Sequence, residues 1–150
     1  EAEEEIQSTG SLSRDDAEKK AFLRASIMVL KSIIAFASRY ADEAERLAET
    51  EKKPSRKAEL ERIAEACRWV PANSPRNFYE AMQSLWFNQI LFTPASTHNL
   101  GRFDQYMYPF YKKTVIDEKT MSREDALELL KCFWIKTNEN AMLVDFLNLS

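Results

Sequence analysis

Residues Gly101-Arg-Phe-Asp-Gln-Tyr-Met-Tyr-Pro-Phe-Tyr111 decide how this chain must be read. Five aromatic rings, an Arg, an Asp and a Pro fall within eleven positions that begin at one of only two glycines. At helical spacing Phe103, Met107 and Phe110 share one stripe, and Tyr106 joins its edge. Tyr108 and Tyr111 point elsewhere, which leaves the segment apolar around most of its circumference. A helix of that kind belongs inside something larger than itself. Its polar residues Arg102, Asp104 and Gln105 are then expected to find partners on neighbouring chain, as a buried structural network.

Working outward, the loop Ala95–Gly101 supplies Ser96, Thr97, His98 and Asn99. Before it, Leu91-Phe92-Thr93 reads as a short extended piece ended by Pro94. Asn77 and Glu80 have capping-box spacing and open a helix running through Trp86 to Ile90. The linker Pro71–Pro75 separates this helix from a preceding one that carries Leu60, Ile63, Ala64 and Cys67 on one side and starts at Pro54. Earlier still, Leu23, Ile27, Leu30, Ile34, Ala37, Ala41, Ala44 and Ala48 recur at alternating steps of four and three. This is one stripe on a helix roughly 55–60 Å long at 1.5 Å per residue, starting near Ser13, Asp15 and Asp16. Its alanine half allows close approach of a second helix. On the other side of the aromatic block, Lys112-Lys113 suits a helix carboxyl end. Ser122 with Asp125 opens a last helix to about Asn138, bearing Leu127, Leu130, Trp134 and Ile135. Trp86, Phe87 and Trp134 read as core.

The chain has 150 residues, is 45% hydrophobic and 30% charged, and carries a net charge of −3. That describes a soluble globular segment and disfavours nucleic acid or an anionic membrane as a partner. The longest apolar run, Ile27–Ala37, is interrupted by Lys31 and Ser32, and the acidic start Glu-Ala-Glu-Glu-Glu lacks a signal-peptide pattern. A cytoplasmic location follows as the default. Average usage would place roughly ten glycines in this length. Two glycines and one histidine leave no phosphate loop, dinucleotide fingerprint or zinc motif. Cys67 and Cys132 have no metal spacing and read as small apolar fillers on helix faces. The expected class is therefore mainly α.

Several blocks occur in one order: Arg39-Tyr-Ala41, Cys67-Arg-Trp-Val-Pro71, Phe78-Tyr-Glu-Ala-Met-Gln83, Trp86-Phe87, Gly101 to Pro109, Ala126-Leu-Glu-Leu-Leu130 and Trp134-Ile-Lys136. Together they resemble an internal segment of the large subunit of glycyl radical enzymes. The branch is the pyruvate formate-lyase-like one that includes B12-independent glycerol and propanediol dehydratases, choline lyase and arylacetate decarboxylases. The resemblance implies that residues 1–150 are a partial domain, forming outer helical layer and one short strand of a ten-stranded α/β barrel. It implies radical hydrogen abstraction followed by C–O, C–N or C–C cleavage of a small polar substrate.

The family's radical glycine motif and its Gly-Cys-x-Glu-like catalytic turn are both missing, so no catalytic residue, metal or cofactor is assigned to this segment, and the chain alone is expected to be inactive. The resemblance places the glycyl radical in the full enzyme, installed by an iron–sulfur, S-adenosylmethionine-dependent activating enzyme in an anaerobic cytoplasm. It also implies, as partners, the remainder of the same enzyme and further copies in a homo-oligomer. Thr97, with Ser96 beside it, falls where relatives line the substrate pocket, and its hydroxyl could donate to a substrate hydroxyl or carboxylate. The plainer alternative is a solvated loop whose hydroxyls cap the next helix. His98 reads as a surface-loop residue. A competing reading for the whole chain is a non-catalytic helical domain that binds a partner through the aromatic helix.

Overall fold

A computed structural model describes residues 14–92 and 100–147, with side chains described at 15–91 and 100–137. Five α-helices account for nearly all of it: α1 (Arg14–Thr50), α2 (Pro54–Trp69), α3 (Phe78–Phe92), α4 (Phe103–Tyr111) and α5 (Arg123–Leu147). Among the described residues there is no strand.

α1 and α2 form an antiparallel hairpin around the alanine stripe. Ala37, Ala41, Ala44 and Ala48 are buried against Leu60, Ala64 and Cys67, because a methyl-only face lets two backbones close together. Pro54 stands in the first turn of α2, where its missing N–H costs nothing. Across the outer side of the hairpin, Arg68 bridges Asp42 and Glu45. These exposed pairs orient the helices more than they stabilise them. The stripe's leading half behaves differently. Leu30 and Ile34 are exposed, as are Phe22, Met28 and Val29, since α2 ends at Trp69, just past the Cys67 that packs on Ala37 and Ala41. Of the described helices, α1 alone is long and apolar enough to cross a membrane by length and composition. The sequence had suggested no such helix. That composition is shared with helices that bury their face against protein.

α3 joins the hairpin through Phe87, which packs with Ala37, Ala41 and Cys67 and meets the rings of Phe36 and Tyr40. Its other face builds a second core with α4 and α5 from Phe78, Ala81, Met82, Met107, Ala126 and Phe133. The Asn77 cap is as expected: Asn77 Oδ1 accepts from the Glu80 N–H at 2.9 Å. The Glu80 carboxylate reaches back one residue further than a standard capping box, accepting from the Arg76 N–H at 2.7 Å. At α5 the Ser122 hydroxyl accepts from the Asp125 N–H at 3.0 Å, as the sequence predicts.

Four expectations are corrected. Leu91 and Phe92 are the last residues of α3 rather than an extended piece, and Thr93 lies outside the described residues. Pro94 restricts the residue immediately before it, leaving Leu91 and Phe92 free to continue the helix. Lys112-Lys113 do not end a helix: the chain runs on from α4 as a π-helical turn, Lys112–Asp117. α5 continues beyond Asn138 to Leu147. Trp134 is 55% exposed rather than core.

Candidate functional site

The predicted substrate-binding residues Ser96 and Thr97, together with His98, lie outside the described residues. The structure does describe both flanks of their loop. α3 delivers the chain to it, and Leu100, Gly101 and α4 receive the chain from it. Gly101 has φ +56°, in the left-handed region where a Cβ costs roughly 1–2 kcal/mol. Among the described residues no heavy atom lies within 4 Å of where that Cβ would stand, so the backbone conformation is what asks for glycine here. The next turn is closed by the Gln105 N–H donating to the Arg102 carbonyl at 3.0 Å.

Tyr106, one turn into α4, folds back over this entry. Its hydroxyl donates to the Leu100 carbonyl at 2.9 Å, and its ring meets Phe103 edge-on at 5.8 Å. Partial burial raises its phenol pKa. The bond ties the first described residue after the loop to a helical side chain.

α4 itself buries Met107 and stacks Phe103 on Phe133 at 6.0 Å. Tyr111 packs edge-on against Phe78 at 5.6 Å. Tyr106 and Tyr108 remain 41% and 54% exposed. Arg102, Asp104 and Gln105, expected to form a network with neighbouring chain, are exposed within the described residues, and Asp104 accepts from the Gln105 amide at 2.7 Å.

Sequence reasoning missed a hub at the base of the α3–α4 pair. Thr114 is buried in the π-helical turn. Its hydroxyl accepts from the Phe78 N–H at 3.0 Å, and its carbonyl accepts from the Thr120 N–H at 3.0 Å. Beside it, a cleft of about 510 Å³ is lined by Arg62, Glu65, Arg76, Tyr79, Glu80 and Lys113, among others. Its charges already have partners. Arg76 pairs with buried Glu80 and with Glu65 and lies 4.6 Å from the Trp69 ring centre. Arg62 covers the Tyr79 ring at 3.9 Å, and burial, partly offset by that guanidinium, raises the Tyr79 pKa. Lys113 donates to the Arg76 carbonyl at 2.9 Å.

The two cysteines occupy different settings. Cys67 is buried in the α1–α2–α3 core, and burial pushes its thiol up to about 11. Cys132 is exposed, not a filler.

An apolar-faced helical layer, built around the aromatic block that follows Gly101, is the part of a larger protein class that the comparisons identify. Residues 1–146 match the family described as pyruvate formate lyase-like, and the chain belongs to that family of glycyl radical enzymes. It is 48% identical over 141 residues to the isethionate sulfite-lyase of Oleidesulfovibrio alaskensis, covering 90% of this chain and 17% of that protein. A glycyl radical enzyme from Archaeoglobus fulgidus superposes with a TM-score of 0.84 at 40% identity, over 92% of this chain and 18% of its own. A structure concerned with 1,2-propanediol dehydration in Roseburia inulinivorans does so with a TM-score of 0.84 at 37% identity, over 90% and 16%. The chain thus spans about one sixth of the length of the relatives it matches.

Proposed function

We propose that this chain is helical wall of a glycyl radical lyase or dehydratase, and that its loop before Gly101 lines the substrate pocket. The observation that carries the reading is the superposition of the whole helical layer on such enzymes, in one segment and at 37–40% identity. The exposed apolar faces of α1, α4 and α5 agree with it, because a barrel supplies what would cover them. In this reading the fold of the complete protein is the ten-stranded barrel, and the chain serves it as partial domain.

Thr97 orients the substrate by donating from its hydroxyl, with Ser96 beside it. Arg102, Asp104 and Gln105 bind the segment to the rest of the barrel. No catalytic residue is assigned here, since Cys67 is sealed and Gly101 serves a turn. The radical, held elsewhere in the enzyme and installed by an iron–sulfur, S-adenosylmethionine-dependent partner, supplies hydrogen abstraction. The substrate is a small polar molecule. Isethionate and 1,2-propanediol, named for the two relatives above, each carry a hydroxyl next to the carbon that bears the leaving group. Elimination from such a molecule yields an aldehyde and releases sulfite or water, which adds C–S cleavage to the bond types expected from the sequence. The enzyme works as a homo-oligomer in anaerobic cytoplasm.

The test is to activate the complete enzyme anaerobically and supply isethionate, 1,2-propanediol and glycerol in turn. Aldehyde from at least one of them supports the reading. A persistent absence of both aldehyde and a glycyl radical signal by electron paramagnetic resonance contradicts it, and leaves the partner-binding helical domain as the better account.

A further inference from the structure

We infer that the stretch Lys112–Thr120 is a two-register device, in which ion pairs at a spacing of five residues hold the π-helical register and with it the start of α3. Two features of the stretch run against ordinary helix geometry. Its repeat is wider than that of α4: the Glu118 N–H donates to the Lys113 carbonyl, five residues back, at 2.9 Å, a bond that helices rarely use. It then ends on Lys119 with φ +53°, a left-handed conformation that is costly for a residue with a Cβ and free for glycine. Such strain persists only where the surroundings over-determine it.

Here charge over-determines it, at a spacing that the π repeat brings together. Lys112 pairs with Asp117 at 2.7 Å and Lys113 with Glu118 at 3.8 Å. In an α-helix the neighbours lie three or four residues apart, so within this stretch an α register keeps one pair, Lys113 with Asp117, in place of two. The wide turn also aims Lys113 at the Arg76 carbonyl and Thr114 at the Phe78 N–H. A slip to the α register passes the extra residue into the turn after Glu118, where Lys119 relaxes, and swings Thr114 away from Phe78. Lys113, Thr114, Glu118 and Thr120 form one wall of the 510 Å³ cleft, and that wall moves with the slip. A change of charge on the turn thereby reaches a buried helix start and a cleft.

The experiment is backbone amide exchange on the complete enzyme, followed by mass spectrometry with fragmentation to single residues. It reads Phe78 and Thr120, whose N–H groups donate to the Thr114 hydroxyl and carbonyl, with buried Ala44 of the α1–α2 hairpin as internal reference. Lys112→Gln removes a pair that only the π register makes. It is expected to speed exchange at Phe78 and Thr120 about two- to fivefold, the range of one ion pair, and to leave Ala44 unchanged. Asp117→Asn removes one pair from each register and is expected to stay near the wild-type rates. Lys119→Gly relieves the left-handed strain and is expected to slow exchange at both positions. Unchanged rates in Lys112→Gln overturn the inference, as does a rise shared by Ala44 or faster exchange in Lys119→Gly. Equal effects of Lys112→Gln and Asp117→Asn also overturn it, because the pair would then merely brace a turn that has one register.

Discussion

The Thr114 hydroxyl accepts a hydrogen bond from the Phe78 backbone N–H at 3.0 Å, across 36 positions of sequence. Phe78 opens α3, so its N–H is one of the donors that a helix start leaves without an internal partner. The π-helical turn is what brings Thr114 to it, by inserting an extra residue into the helical repeat after α4. Thr114→Val keeps the shape, removes the acceptor and leaves that donor buried without a partner. Stability is expected to fall by about 1–3 kcal/mol, read from denaturant midpoints, while Thr114→Ser retains most of it. Equal losses in the two variants would assign the effect to packing of the methyl group instead.

Gly101 gives a second prediction, because strain and steric fit separate there. A methyl group added at Gly101 meets no atom of the described residues, so Gly101→Ala is expected to cost about 1 kcal/mol from the positive φ. Gly101→Asn is expected to cost less, since Asn tolerates that region better. Denaturation of both variants distinguishes this from a crowded site, where the larger Asn would be the worse replacement.

The cysteines predict a pH dependence. Cys67 has its thiol raised from 9.0 to about 11 by burial. Between those values the unfolded chain releases the proton first, so the native state holds more protons and stability falls as pH rises. The contribution is intact below about pH 9 and lost progressively toward pH 11. In the folded protein at pH 8, a thiol reagent is expected to label exposed Cys132 and spare Cys67, as counted by mass spectrometry. Labelling of Cys67 at the Cys132 rate would place it outside the helical core.

How much of this was legible beforehand depends on how local the cause is. The Asn77 cap, the Pro54 start and the alanine stripe rest on residues within a few positions of one another, and each was read correctly. The π-helical turn was not, because its reason, Phe78, lies 36 residues from Thr114, and Lys112-Lys113 imitate a helix end. Leu91 and Phe92 were misread because Pro94 suggested an earlier break than its ring enforces. Trp134 and the leading half of the α1 stripe stand exposed, and on the proposed reading their cover is the barrel, which neither periodicity nor composition of this segment could reveal. The proposed pocket role of Ser96 and Thr97 rested on resemblance, and Tyr106, whose hydroxyl donates to the Leu100 carbonyl, was read only as part of an apolar stripe.

The central claim is that the apolar surface left open here is the inner surface of a larger barrel wall. A crystal structure of the complete enzyme tests it most directly, through the burial of Leu30, Tyr108 and Trp134, now 59%, 54% and 55% exposed. The account predicts that all three fall below about one tenth exposed, the usual state of large apolar side chains in a packed core. Finding them still in solvent, with α1, α4 and α5 in their present arrangement, would contradict it.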